Sequence, residues 1–279
     1  MAQQYNTVII SADSRQFYRE MSIGTAKPDA DELAAVKHYF IDSHSITDPF
    51  SVGDFEKQGL ALLDELFNTH DIVILVGGSG LYIKALCEGF DEIPQADAGI
   101  REQLNLEFNQ TGIKPLQDEL KVSDPVYYNE VDINNPQRII RALEVFRQTG
   151  QPFSSYRKST VNNRPFSILK TGLDLPREVL YDRINRRVDA MIKQGLVEEA
   201  KSLMAYRNLN ALNTVGYSEL FDYFDDKTDL EGAIELIKQN TRRFAKRQLT
   251  WFRKDQGIHW LAPADIQQET ITKLLDQAQ

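Results

Sequence analysis

The segment DIVILVGGSGLYIKALC, residues 71–87, decides the fold class of this 279-residue chain. Residues 71–76 are mainly apolar and β-branched, which predicts a buried strand. The strand runs into Gly77-Gly78-Ser79-Gly80, and a helical pattern resumes over residues 81–87. A strand, a glycine turn and a helix in this order form the βα unit of a parallel sheet, which binds ligands at the carboxyl ends of its strands.

Further strands are predicted on both sides of this segment. Residues 7–11 are a β-branched apolar run that ends in a polar loop, residues 167–175 are expected to return to the sheet, and residues 257–261 form a short last strand. Apolar residues at helical spacing predict helices at 56–68, 177–194, 196–206, 216–225 and 230–254, and in the tail from residue 264. The predicted fold class is therefore α/β, with a parallel-sheet core.

Residues 95–165 are predicted to be a helical insertion into this core, which comprises residues 1–94 and 166–279. Helices are expected at 97–110, 113–121 and 135–148. Asn134 or Asn135 with Pro136 suits a helix start, and Gly150 with Pro152 suits a stop.

Composition limits the class of protein. The 42% hydrophobic content suffices for one large domain or a core with an insertion. The single cysteine, Cys87, excludes an internal disulfide framework and fits a reducing compartment. No apolar run is long enough to cross a bilayer, and the first residues lack the features of a signal peptide. The expected location is the cytoplasm.

Charge is unevenly distributed along the chain. The formal net charge of −9 alone argues mildly against a nucleic-acid partner. Residues 145–172 and 236–254, however, contain no Asp or Glu, and the second stretch carries seven basic residues. Two acid-free stretches on an acidic protein favour a surface that binds a polyanion, although solvated basic faces are the simpler alternative.

The helix over 238–254 is predicted to carry a basic face. At roughly 100° per residue, its cations and one threonine fall within an arc of about 140°: Arg242, Arg243, Lys246, Arg247, Thr250, Arg253 and Lys254. Phe244, Ala245, Leu249, Trp251 and Phe252 lie on the other side, with Gln248 among them. Like charges at this spacing repel, and a row of phosphates would remove that repulsion.

Three smaller features are candidates for chemistry. Asp13-Ser14-Arg15-Gln16 follows a strand, where the carboxylate can accept a proton or hydrogen bond from an amine, or cap the next helix. The Gly77-Gly78-Ser79 loop is either an anion cradle or a tight turn, and it is not a Walker A loop because it has no Lys. Arg183 and Arg187 can converge on a polyanion or pair, with Arg186, to Asp182 and Asp189. The histidines and Cys87 show no zinc spacing.

Four separated segments resemble the signature segments of bacterial tRNA dimethylallyltransferases, also called isopentenyl-tRNA transferases. They are ISADSRQFYREMSIGTAKP (10–28), LVGGSGLYIKAL (75–86), NPQRIIRALEVF (135–146) and FAKRQLTWFRK (244–254). Their order and spacing match over essentially the whole chain. The resemblance implies a P-loop kinase-like, nucleotide- and ATP-binding fold, with a helical insertion that grips the anticodon stem-loop.

The resemblance also implies an activity. The family transfers a dimethylallyl group from dimethylallyl diphosphate to the exocyclic amine of adenine 37, in tRNAs that read codons beginning with U, and Mg²⁺ accompanies the diphosphate. Asp13 would be the general base or hydrogen-bond acceptor, Ser79 would contact the reacting region and the diphosphate, and Arg187 would face the leaving diphosphate. The implied tRNA contacts are Asp13 to Gln16, Arg101, Gln137, Arg138, Ile139, Ile140, Arg141 and the run Lys246, Arg247, Gln248, Thr250 and Trp251, which the basic face extends to Arg243. We expect no membrane partner, and a monomer.

One departure concerns the start of the chain. Family members place a strand, a loop like GPTxxGKT and a helix before the counterpart of Asp13, whereas twelve residues precede it here. The phosphate-loop Lys and the Thr that would hold Mg²⁺ are therefore expected to be missing, through a misassigned start or a truncation. No metal ligand is identifiable, and little or no transferase activity is expected of this polypeptide. The alternatives are a non-catalytic tRNA-binding remnant and an adenylate isopentenyltransferase, which needs neither the insertion nor the basic helix.

Overall fold

The fold divides into two compact units. The computed structural model describes residues 1–91, 93–94, 97–158, 163–265 and 268–278. Unit 1 comprises Met1–Cys87 and Arg164–Gln279, and unit 2 comprises Glu88–Asn163.

Three parallel strands carry the amino-terminal part of unit 1. They are β1 (Ile9–Ser11), β2 (His38–Tyr39) and β3 (Ile74–Val76), in the order β2-β1-β3. Ile10 is opposite Leu75 and Ser11 opposite Val76, so β1 and β3 end side by side. Two of these strands were predicted from apolar runs, whereas the two-residue β2 carries no such run and was not predicted.

The strand β3 is less buried than its apolar sequence predicts. Val76 is 53% exposed, whereas Ile10 on β1 is fully buried. The cause is position: β1 is central, while β3 lies at the edge of the sheet formed by the described residues.

The strands β4 (Lys170–Leu173) and β5 (Ile258–Leu261) pair in parallel with each other. The prediction that residues 167–175 return to the first sheet is therefore wrong for the described residues, in which these strands form a separate two-stranded sheet. Gly172 lies opposite Trp260, and a Cβ there would lie 2.8 Å from the Trp260 ring. The glycine allows this ring to lie against β4.

Helices account for most of the remaining structure. In chain order they are α1 (Ala30–Ala35), α2 (Val52–Leu66), α3 (Gly80–Glu88), α4 (Ala98–Thr111), α5 (Lys114–Ser123), α6 (Pro125–Glu130), α7 (Pro136–Thr149), α8 (Arg177–Gln194), α9 (Leu196–Ser202), α10 (Tyr217–Phe224), α11 (Leu230–Phe252) and α12 (Gln268–Ala278). The short α1 and α6 were not predicted. All the other helices were predicted from the sequence, and their bounds agree within a few residues. Within the described residues, no helix combines the length and the apolar character needed to cross a bilayer.

Capping explains where α7 begins and ends. The side chain of Asn135 accepts a hydrogen bond from the amide of Arg138, and Pro136 occupies the first turn. Gly150 ends the helix in a left-handed conformation with φ 71°. The predicted start and stop signals are confirmed, because these residue types satisfy helix-end groups that would otherwise lack partners.

Each unit has its own hydrophobic core. Unit 2 buries Leu104, Leu116, Leu120, Ile139 and Leu143 among α4, α5 and α7. In unit 1, one cluster surrounds β1 and α2, and a second joins α8 to α11. The second cluster also includes Tyr18 and Met21, which fixes the chain that follows β1 against these helices.

Candidate functional site

A short hydrogen-bonded turn follows β1. The amide of Arg15 donates to Asp13 Oδ1 at 2.9 Å, and the amide of Asp13 lies 3.4 Å from Ser11 Oγ. Ser11 Oγ in turn donates to Gln16 Oε1 at 3.0 Å. Asp13 is half-buried, and its Oδ2 makes no hydrogen bond with the part of the chain that the structure describes. The turn therefore presents one carboxylate oxygen as an available acceptor.

Ser79 meets this turn from the neighbouring strand. The amide of Ser14 donates to Ser79 Oγ at 2.9 Å, and Ser79 Oγ donates to Ser14 Oγ at 3.1 Å. These residues are 65 positions apart in sequence. Because β1 and β3 are adjacent and parallel, their carboxyl ends bring together the two segments identified separately in the sequence.

The glycine loop is closely packed on two sides. A Cβ on Gly77 would lie 2.5 Å from the Ala12 carbonyl, and one on Gly78 would collide with the side-chain amide of Gln248. Gln248 Nε2 donates to the Gly78 oxygen at 2.9 Å. The tight-turn interpretation is therefore sufficient to explain these glycines.

The same loop retains features that suit an anion. Its Gly77 and Gly78 amides donate no hydrogen bond to the described residues. The helix α3 begins at Gly80, so its first-turn amides and the positive end of its dipole lie beside Ser79. The geometry is compatible with both a tight turn and an anion cradle. Close packing explains why Gly77 and Gly78 carry no side chains, while their amides remain available to an anion.

The predicted basic face of α11 lines an open cavity. Its volume is about 420 Å³, and its lining residues are Arg243, Lys246, Arg247, Thr250, Trp251 and Lys254. In the described chain Lys246, Arg247 and Lys254 make no ion pair, whereas Arg253 pairs with Asp174 at 3.1 Å. The cavity thus concentrates uncompensated positive charge, the arrangement expected of a polyanion site.

Two aromatic residues of α11 are exposed, contrary to the expectation that they lie on the apolar side. Phe244 is 48% and Trp251 44% exposed. At 100° per residue, residues seven apart lie nearly in line, and these two border the basic face. The Arg247 guanidinium lies 5.7 Å from the Phe244 ring centroid. The seven-residue spacing of two aromatic residues beside the basic face could have indicated their exposure, but the prediction from sequence did not use it.

The arginines of α8 differ in their pairing. Arg186 pairs with Asp182 at 2.9 Å, but Asp189 pairs with Lys238 instead. The salt-bridge alternative therefore holds for Arg186 alone. Arg183 and Arg187 are exposed and make no ion pair within the described residues, so they remain candidates for an anion.

Two cations proposed to contact tRNA surround a buried acid in unit 2. Glu144 is fully buried. Arg141 donates to Glu144 Oε2 at 3.2 Å and to the Pro94 oxygen at 2.6 Å. Arg101 Nη1 lies 3.8 Å from Glu144 Oε2. Part of each guanidinium is therefore occupied in stabilising the carboxylate of Glu144.

The side chains of Ile139 and Ile140 do not form part of a binding surface. They are 0% and 1% exposed, because this side of α7 packs into the core of unit 2. Within the predicted tRNA-contacting run from Gln137 to Arg141, these two residues could therefore contribute only main-chain atoms. Gln137 and Arg138 are exposed and remain candidates.

A magnesium site does not emerge from these residues. The described part of the chain contains no group of three or more His, Cys, Asp or Glu side chains placed to hold a metal ion. Asp13 supplies one carboxylate beside two serine hydroxyls. One carboxylate and two hydroxyls alone do not form a magnesium site.

Together the fold and site define a class: a parallel α/β protein with a polar site at adjacent strand ends beside a cationic helix. Residues 16–255 match the family described as IPP transferase. The tRNA dimethylallyltransferase of Christiangramia forsetii is 58% identical over 260 residues, covering 93% of this chain and 86% of that protein. The chain therefore belongs to the IPP transferase family, which confirms the resemblance seen in its sequence.

Further relatives agree with this assignment. The tRNA dimethylallyltransferase of Cytophaga hutchinsonii is 52% identical over 270 residues, covering 97% of this chain and 89% of that one. A crystal structure of a Bacillus halodurans tRNA isopentenylpyrophosphate transferase is 38% identical with a TM-score of 0.68, covering 99% and 88% of the two chains. The predicted α/β fold and the prediction of a prenyltransferase family are thus confirmed.

Proposed function

We propose that this chain transfers a dimethylallyl group from dimethylallyl diphosphate to the N6 amine of adenine 37, in tRNAs that read codons beginning with U. The observation that carries the proposal is the meeting of Asp13 and Ser79 at adjacent strand ends, through the Ser14–Ser79 hydrogen bonds of 2.9 and 3.1 Å. The family match over residues 16–255 supports it.

The proposed reaction places one acceptor and several donors around the reacting atoms. Asp13 accepts a hydrogen bond from the adenine amine and orients it for attack on the first carbon of the dimethylallyl group. The bond from that carbon to the diphosphate oxygen breaks, the diphosphate leaves with the electron pair, and the amine proton passes to Asp13. Loop amides at Gly77 and Gly78, the Ser79 hydroxyl and the guanidinium groups of Arg183 and Arg187 stabilise the leaving charge.

Binding of the tRNA offsets the cost of exposing the base. Drawing a base out of a stacked loop costs a few kcal/mol. The cationic cavity on α11 supplies contacts to phosphates, and Gln137, Arg138 and Arg101 supply contacts from unit 2. We propose residues 95–165, the helical insertion, as the part that holds the anticodon stem-loop, in a monomeric protein of the cytoplasm.

A polypeptide of these 279 residues alone is proposed to react slowly. Its sequence contains no G-x-x-x-x-G-K-[ST] motif, which in phosphate-binding loops supplies a lysine for the phosphates and a hydroxyl for Mg²⁺. The missing motif should affect the transfer rate but not tRNA affinity, because tRNA binding through α11 does not depend on that motif. Strong tRNA binding together with slow transfer is therefore the expected combination.

The test compares Asp13→Asn with wild type under single-turnover conditions, with protein in excess and product detected by mass spectrometry. We expect unchanged tRNA affinity and a fall in the transfer rate of about 100-fold or more. Asp71→Asn, an exposed acid before β3, is the control and should behave as wild type. Transfer that persists in Asp13→Asn would overturn the assigned role.

The same assay separates the alternative functions. Steep salt-dependent tRNA binding with no transfer by wild type would indicate a tRNA-binding remnant. Prenylation of free adenosine monophosphate without tRNA would indicate an adenylate isopentenyltransferase. Both outcomes contradict the proposed function.

A further inference from the structure

The carboxylate of Glu199, on α9, is surrounded by four hydrogen-bond donors. Its Oε2 accepts from the amides of Ser22 at 3.1 Å and Ile23 at 2.8 Å. Its Oε1 accepts from the amide of Gly24 at 3.0 Å and from the Tyr217 hydroxyl at 2.6 Å. Three consecutive amides facing one anion form a nest, and hydrogen bonds to a charged acceptor are about twice as strong as neutral ones.

Tyr217 closes this arrangement from the helical side. Its side chain is fully buried, and burial, reinforced by the charge of Glu199, raises the pKa of its hydroxyl. The hydroxyl therefore stays protonated and remains a donor. A Cβ on Gly24 would lie 2.6 Å from the Tyr217 ring, so the loop can approach this closely only with glycine at that position.

The loop held by Glu199 is bonded in turn to the candidate site. Gln16 Nε2 donates to the main-chain oxygens of Thr25 at 3.2 Å and Ala26 at 3.1 Å. The main-chain amide of Gln16 donates a hydrogen bond to the main-chain oxygen of Asp13 at 3.2 Å. Ala26 has φ 49° and ψ 48°, a left-handed conformation that is unfavourable for a non-glycine residue and persists where surrounding bonds enforce it.

We propose that Glu199 is a positioning residue for Asp13. It fixes residues 22–24, these fix the carbonyl groups at Thr25 and Ala26, and Gln16 transmits that geometry to the turn that carries Asp13. Glu199 does not touch the reacting atoms. The assignment rests on the proposed function only for the role of Asp13, because the coupling between the two residues is a property of the fold.

The main test is hydrogen–deuterium exchange of the full chain with Glu199→Gln. This variant keeps the size of the side chain but replaces one acceptor with an NH₂ group that faces amide donors. We expect the amides of residues 22–24 and of Arg15 and Gln16 to exchange about tenfold faster or more, as the loss of one charge-assisted hydrogen bond implies. Exchange in the helical cluster of α8, α10 and α11 should be unchanged.

Two further variants keep the test decisive. Glu198 lies on the same helix with an exposed side chain, so the exchange rates of Glu198→Gln should match those of wild type. Tyr217→Phe removes one of the four donors and should give a smaller effect at the same amides. Single-turnover transfer by Glu199→Gln should fall about tenfold, while the dissociation constant for tRNA stays within twofold of wild type.

The outcomes separate this inference from the proposed function. Faster exchange at residues 22–24 without any change at Arg15 and Gln16 would overturn the positioning role. So would a uniform rise across unit 1, which would indicate general destabilisation. If wild type transfers no dimethylallyl group, the proposed function fails, and if Asp13→Asn transfers normally, the role assigned to Asp13 fails. The exchange coupling between Glu199 and the Asp13 turn is decided independently of both results.

Discussion

Gln248 donates a hydrogen bond of 2.9 Å to the main-chain oxygen of Gly78, across 170 positions of sequence. This bond ties the cationic helix α11 to the glycine loop, one residue away from Ser79. The charged cavity and the polar strand ends are thus held together by direct contact within unit 1. Gln248, predicted from the sequence to bind tRNA, has a structural role in this bond.

The first prediction concerns Gly78→Ala. The added methyl group would displace the flexible end of Gln248 and break its hydrogen bond to Gly78, so the free energy of unfolding should fall by about 1 kcal/mol. Urea denaturation measures this. Gly53 is exposed in the first turn of α2, and a Cβ there would make only an ordinary contact with Ser51 Oγ at 3.8 Å, so Gly53→Ala should be neutral or slightly stabilising. Adding Gln248→Ala to Gly78→Ala should recover part of the loss; strict additivity would contradict the proposed contact.

The second prediction concerns the exposed aromatics of α11. Rings bordering a cationic face suit stacking on unpaired bases, which is worth about 1–3 kcal/mol per base. Phe244→Leu and Trp251→Leu should each weaken binding of an anticodon stem-loop by about tenfold, as measured by filter binding. Leu236→Ala removes another exposed apolar side chain of the same helix and should change nothing. Equal affinity in all three variants would exclude stacking.

The third prediction concerns the salt dependence of tRNA binding. Each phosphate contact adds about −0.7 to −0.9 to the slope of log affinity against log salt. Lys246→Ala and Lys254→Ala should each reduce the magnitude of the slope by about one. Lys201→Ala, an exposed cation on α9, is the control. A slope unaltered by the two cavity substitutions would show that the cavity does not bind phosphates.

The fourth prediction concerns alkaline stability. Burial among Phe17 and Phe55 raises the pKa of Tyr82 to about 12 from an ordinary value of 10.0. The unfolded chain loses this proton near pH 10, whereas the folded chain keeps it up to about pH 12. The contribution of Tyr82 to the free energy of unfolding is therefore fully present below pH 10 and is lost as the pH rises from 10 to 12. The loss for one tyrosine is up to about 1.4 kcal/mol per pH unit.

Tyr82→Phe should therefore flatten the dependence of the unfolding free energy on pH in this window. Part of the slope should remain, because burial also raises the pKa of Tyr18 and Tyr217. Tyr206→Phe, whose side chain is 46% exposed, provides the comparison and should leave the slope unaltered. An identical slope in Tyr82→Phe and wild type would contradict the prediction.

The sequence predicted those features that follow from local pattern. The strand-glycine-helix segment around Gly78 and the capped helix from Pro136 to Thr149 are set by short-range periodicity and by helix-end chemistry. Assignment of both strands to one parallel sheet placed Ser14 and Ser79 at the same edge, but the strand order that makes them neighbours was not predicted. Burial of Ile139 was not predictable, because it depends on which neighbouring elements cover that face of α7. Exposure of Phe244 left a signal in the sequence, its seven-residue spacing from Trp251 beside the basic face, which was missed.

The environment of Glu199 was hidden for a different reason. Nothing in the acidic pair Glu198 and Glu199 distinguishes the exposed residue from the one that accepts four hydrogen bonds. The donors come from residues 22–24 and from Tyr217, far apart in sequence. Such long-range polar contacts leave no periodic pattern, so only the folded chain reveals them.

The split of unit 1 into two chain segments has a consequence during synthesis. Unit 2 is continuous, from Glu88 to Asn163, so the partners of its internal contacts are translated within one stretch of chain. Met21, by contrast, belongs to the same hydrophobic cluster as Tyr217 and its neighbours, which are translated almost 200 residues later. At about 5–20 residues per second the apolar side chains near Met21 wait roughly 10–40 s for their partners. The nascent amino-terminal segment therefore exposes apolar side chains that a chaperone could protect during this interval.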